Sequence, residues 1–94
     1  MKLEQYRAYT AEMCGVDLDG WKPDESEYQR QMVDDKLHER GYAACFIKME
    51  FYGDILAAVC ELKNPRRDEI FSGQGDTKIE AFTNAVINYY EILQ

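Results

Sequence analysis

No stretch of this sequence approaches the roughly 20 consecutive apolar residues that cross a bilayer. A membrane-spanning reading is therefore excluded at the level of sequence. The polar opening MKLEQYRAYTAE is not expected to act as a signal peptide, which leaves a bacterial cytosol as the expected location. Cysteine is scarce: Cys14, Cys45 and Cys60 are an odd set without a CxxC spacing. Such a set argues against a disulfide framework and against a thiolate metal site. Cys45 and Cys60 fall on what reads as the inward phase of two strands, as small buried residues. There is one histidine, His38, with no acid or nucleophile at a useful spacing, and it reads as a surface residue. Phosphate-loop and nucleophile-elbow motifs are missing: GQGDTK lacks the length and the Gly-Lys-Ser/Thr ending of the former. Asp17-x-Asp19-Gly20 opens like a calcium loop, but the remaining ligands and the closing glutamate are absent. No catalytic centre, metal or cofactor is expected.

Bases are also few. The formal charge is −7, and the acids gather between Asp17 and Asp35. That window holds Asp17, Asp19, Asp24, Glu25, Glu27, Asp34 and Asp35 against Lys22 and Arg30. A surface of this kind repels phosphate backbones and attracts basic protein surfaces. It also serves plain solubility.

What is present is a folded domain. The apolar fraction is 46% and the aromatic fraction 13%, too high for disorder. Ninety-four residues form one domain, 1–94, with an N-terminal helix at 2–14, a loop at 15–24 and an αβββα unit at 25–94. The strongest pattern is the last. Thr77 and Glu80 have capping-box spacing, Asp76 adds negative charge at the same end, and Gly73 and Gly75 read as a preceding turn. Ile79, Phe82, Val86, Tyr89, Tyr90 and Leu93, flanked by Ala81 and Ala85, then make one apolar helix face.

Upstream, Leu3, Tyr6 and Met13 share a face of the first helix with the polar Thr10, and Gly15 ends it. Trp21, beside Lys22-Pro23, either plugs the loop onto the core or stands out as a recognition anchor. The next helix is expected to start near Glu25, with Asp24 and Glu27 as its capping pair and Tyr28, Met32, Val33 and Leu37 as its buried stripe, and to stop at Gly41. Residues 42–52 alternate, with Cys45, Ile47, Met49 and Phe51 expected inward and Phe46, Lys48, Glu50 and Tyr52 outward. Gly53-Asp54 reads as a turn. Residues 55–63 give a second strand with Leu56, Ala58, Cys60 and Leu62 inward, residues 64–68 a polar loop, and 69–72 a short third strand. The fold class is α+β: helix, helix, then a three-stranded antiparallel meander, then a helix. The outward residues Phe46, Tyr52, Ile55 and Val59 are apolar. Either the first helix covers them, in helix–sheet–helix layers, or a second subunit does, in a homodimer serving phage assembly or packaging.

Two family resemblances rest on these residues. Three strands followed by Gly73-x-Gly75-x-Thr77-Lys78-x-Glu80-Ala81 resemble the end of a double-stranded-RNA-binding domain. That family holds phosphates with a pair of lysines at the start of its last helix. Here Lys78 matches one of them, Ile79 stands in place of the other, and Asp76 has the opposite sign. The resemblance implies a topology and not RNA binding. The second covers residues 3–93: a helix ending near Gly15, Trp21-x-Pro23, a helix ending Leu37-x-x-x-Gly41, three strands, and Thr77-x-x-Glu80-Ala81. It is similar to the small phage proteins grouped as the phage ABA (helix–sheet–helix) sandwich domain, and implies a phage or prophage origin. The expected function is a non-enzymatic phage accessory protein that occupies a basic host protein without binding nucleic acid directly. A host defence nuclease of the CRISPR type is the specific candidate, with carboxylates in place of phosphates. The expected contacts are Asp17, Asp19, Asp24, Glu25, Glu27, Asp34 and Asp35, with Trp21 or Tyr28 as the aromatic anchor.

Overall fold

The computed structural model describes residues 2–51 and 55–93. For 47–51, 55–57 and 93 it describes the backbone alone. The order of elements is α1 (Leu3–Cys14), α2 (Glu27–Glu39), β1 (Ala43–Phe51), β2 (Ile55–Asn64), β3 (Glu69–Gly75) and α3 (Lys78–Leu93). The strands form one antiparallel sheet in the order β1-β2-β3. This is the expected α+β meander.

α3 organises the molecule. Its start is the capping box read from sequence: the Thr77 hydroxyl accepts from the Glu80 N–H at 3.1 Å, and the Glu80 carboxylate accepts from the Asp76 N–H at 3.0 Å. Phe82, Val86 and Tyr89 are buried against β2 and β3. Thr83, Ile87 and Tyr90 are buried as well, because α1 lies along another side of the same helix. Tyr9 stacks on Tyr90 with ring centroids 4.7 Å apart, and the Tyr90 hydroxyl donates to the Tyr9 carbonyl at 3.1 Å. Two-sided burial widens the apolar face beyond the predicted stripe, while Ile79 at its start is left 39% exposed.

Gly73 and Gly75 are not a turn. β3 runs through both, and Gly73 lies directly under α3. A Cβ at Gly73 would sit 2.1 Å from the Ala85 nitrogen and 2.6 Å from the Ala81 oxygen. The glycine is there because helix and strand approach backbone to backbone. The free edge of β3 is covered by the same helix, where Asn84 and Asn88 donate side-chain N–H groups to the carbonyls of Gln74 and Ser72. These bonds satisfy edge acceptors that would otherwise recruit another strand.

β1 has the opposite phase to the one expected. In the register, Phe46 lies opposite Cys60 and Ala44 opposite Leu62. Paired residues share a face, and Cys60 and Leu62 are fully buried. Ala44 and Phe46 therefore face the helices, with the Phe46 ring 6.4 Å from Phe82, and Cys45 is exposed on the other face. Alternation favours the other phase, because Lys48 and Glu50 follow Ala44 and Phe46 on this one, but the first half of the strand is apolar on both phases and pairing with β2 decides between them. Phe46 and Val59 consequently lie on opposite faces of the sheet and cannot form the expected dimer surface. Tyr52 and the Gly53-Asp54 turn lie outside the described residues, as does the side chain of Ile55. Among the described residues α1 packs on α2 and α3, with no comparable packing on a strand, so it does not cover the outer face. The helices stand on one side of the sheet.

Candidate functional site

The loop between α1 and α2 is pinned at several points. α1 ends at Gly15 in a left-handed conformation (φ 66°), with the Val16 N–H returning to the Ala11 carbonyl at 3.0 Å. Trp21 is 4% exposed. Its indole Nε1–H donates to the Thr10 hydroxyl at 2.9 Å, and that hydroxyl donates in turn to the Tyr6 carbonyl at 2.7 Å. Thr10, the polar interruption of the α1 stripe, is thus the buried acceptor that lets a tryptophan close the core. Gln29 of α2 clamps the loop from the other side. Its amide oxygen accepts from the Lys22 N–H at 2.6 Å and its amide nitrogen donates to the Gly20 carbonyl at 3.2 Å. Arg7 completes the attachment with a two-pronged pair to Asp24, both bonds at 2.8 Å, and a 3.2 Å contact to Glu25.

These attachments decide which predicted residues are free. Trp21 is a core residue, since the loop is anchored through it, and it offers a partner almost no surface. Asp24 is bound to Arg7 and does not cap α2; the guanidinium holds its carboxyl below the usual carboxylate range. Ser26 caps the helix instead, accepting from the Gln29 N–H at 3.3 Å. Glu25 is exposed but faces the same arginine. Asp35 is exposed and accepts from the Gln31 side chain at 3.0 Å. Asp34 and Glu27 line a separate groove with Phe46 and Phe82. There, burial, with Asp35 next to it, pushes the Asp34 carboxyl up.

Asp17 and Asp19 do come together with Tyr28. They border a shallow cavity of about 300 Å³ whose floor includes Val16, Trp21 and Met32. Neither aspartate has a hydrogen bond or ion pair from its side chain among the described residues. Tyr28, expected in the buried stripe of α2, is 78% exposed, while Val33 and Leu37 are buried and Met32 is half-buried against the core. Leu18, between the two aspartates, is 54% exposed. The sequence reading passed over Leu18. A leucine between two aspartates in a loop was the available signal, since nothing in a polar loop requires it. The result is a pinned surface with two exposed apolar side chains and two unpaired carboxylates.

Other chemistry is not assembled here. Among the described residues no three His, Cys, Asp or Glu side chains converge as metal ligands. Burial pushes the Cys60 thiol up to about 12 and raises Cys14. No described helix is long and apolar enough to cross a membrane. No protein-family model, curated protein or solved structure matches the chain.

Proposed function

We propose that this chain is a non-enzymatic binding protein that docks on a basic protein surface through the α1–α2 loop and the adjoining face of α2. One observation carries the reading. Leu18 and Tyr28 project from a pinned loop and helix, with Asp17 and Asp19 unpaired beside them. Solubility alone accounts for exposed acids but not for a leucine and a tyrosine exposed among them. An aromatic anchor with carboxylates around it is the composition of a protein–protein contact, in which the apolar groups supply affinity and the charges supply orientation and rate. Because the loop is fixed before binding, little ordering entropy opposes association.

The partner class this fits is a protein with a nucleic-acid groove. Carboxylates spaced along a loop present negative charge to arginines and lysines that otherwise meet phosphates. An inhibitor of a bacterial defence nuclease, carried by a phage or prophage, is the specific form of the proposal. Direct duplex RNA binding is disfavoured: the start of α3 carries Asp76 and Glu80 beside a single base, Lys78, which lies over the Phe46 ring. The test is affinity capture from bacterial lysate with mass spectrometry, using wild type beside Asp17→Lys/Asp19→Lys. Capture of a basic nucleic-acid-binding protein by wild type alone supports the reading. Identical captures, or none, reject it.

A further inference from the structure

A second surface has the opposite charge. At the C-terminal end of α2 and beside the β2–β3 turn lies a cavity of about 660 Å³, lined among others by His38, Arg40, Asn64, Arg66 and Arg67. Four other cations are neutralised: Lys2 by Glu91, Arg7 by Asp24, Lys36 by Glu39 and Lys63 by Glu61. For Arg40, Arg66 and Arg67 no carboxylate lies within ion-pairing distance among the described residues. Glu39, the acid on the cavity wall, is already held by Lys36 at 3.2 Å.

The Arg40 side chain and the backbone that carries Arg66 and Arg67 are held by their surroundings. The Arg40 guanidinium donates to the Tyr89 hydroxyl at 3.2 Å. Asn64 is 4% exposed. Its side-chain oxygen accepts from the Arg66 N–H at 3.1 Å, and its carbonyl accepts from the Arg67 N–H at 3.2 Å. α2 ends at Gly41 with φ 93°, where a Cβ would crowd the Asn64 amide at 3.3 Å. The helix terminus and the turn are thereby fitted to each other around the cavity.

We propose that this cavity binds a small ligand carrying a diphosphate, with Arg40, Arg66 and Arg67 as its anion contacts. Planar guanidinium groups match phosphate oxygens in pairs, and three of them suit more than one anionic centre. A long polyanion is disfavoured, since a chain of net charge −7 repels it everywhere else. A compact anion meets only the local cluster. The volume falls in the range of small-molecule sites and exceeds what a diphosphate fills alone.

The experiment is calorimetric titration of the whole protein with inorganic pyrophosphate and, separately, with ADP, at low and at physiological salt. Wild type is compared with Arg66→Gln/Arg67→Gln and with Lys22→Gln/Lys78→Gln, which removes the same charge elsewhere. Circular dichroism checks that each variant is folded; both arginines are exposed, so the fold should persist. Saturable binding that weakens with salt, falls about tenfold or more in the arginine variant and persists in the lysine variant supports the site. Tighter binding of ADP than of pyrophosphate assigns the rest of the cavity to the nucleoside, and equal binding assigns the site to the diphosphate alone. No binding to wild type, or equal loss in both variants, overturns it.

Discussion

At the scale of single residues, the molecule depends on a few polar groups that do two jobs. Thr10 interrupts an apolar stripe yet is fully buried, because its hydroxyl meets the Trp21 indole and the Tyr6 carbonyl. Replacing it by valine preserves shape and strands the indole N–H in the core. Thr10→Val should destabilise the fold by about 1–3 kcal/mol, read as a lowered urea midpoint. The fluorescence of the chain's single tryptophan reports that transition. Asp24 gives a pH signature. Its folded pKa lies below the unfolded value of 3.8 because Arg7 bonds the ionised form. The pair's contribution is therefore fully present above that value and is lost as pH falls through the lower folded one. The difference in urea midpoint between wild type and Asp24→Asn should be constant from pH 7 to pH 5 and close below about pH 4. A difference that does not narrow at all as pH falls below about 4 would show that the pair is not its cause.

At the scale of elements, legibility followed the range of the interaction that decides each feature. The α3 start was readable because Thr77, Asp76 and Glu80 act within one turn. The α2 start was misplaced by two residues because Asp24 and Ser26 are both good caps locally, and Arg7, 17 positions away, takes Asp24. The β1 phase was misread because Lys48 and Glu50 mark the Phe46 phase as outward, while Ala44 and Phe46 are apolar and their pairing with Leu62 and Cys60 turns that phase toward the helices. Gly73 looked like a turn residue because a glycine needed for close approach has no local mark. Its role has a direct consequence: Gly73→Ala drives a Cβ into the α3 backbone. The expected loss is at least about 1–3 kcal/mol, as in overpacked cores. A variant as stable as wild type by thermal unfolding would mean that β3 and α3 are not in the register described here.

At the scale of the whole molecule, the sheet carries its helices on one face, and the α1–α2 loop stands beside them as a fixed projection. Composition showed an acidic stretch but not which acids were free. The fold places Asp24 and Glu25 on Arg7, Glu27 and Asp34 in a side groove, and Asp17 and Asp19 at the cavity beside Tyr28, and leaves Asp35 exposed with Gln31. Only Asp17 and Asp19 stand unpaired beside the exposed Tyr28, with Leu18 exposed between them in the chain, which is why the functional reading rests on Asp17 and Asp19 rather than on Asp34 and Asp35. The most direct test is the dissociation constant of the captured partner for four proteins: wild type, Tyr28→Ala, Asp17→Lys/Asp19→Lys and Asp34→Lys/Asp35→Lys. A loss of about tenfold to a hundredfold is expected for each of the first two variants, and an affinity within a few-fold of wild type for the third. Full affinity in the Asp17/Asp19 variant with loss in the Asp34/Asp35 variant would contradict it and move the docking surface to the other side of α2.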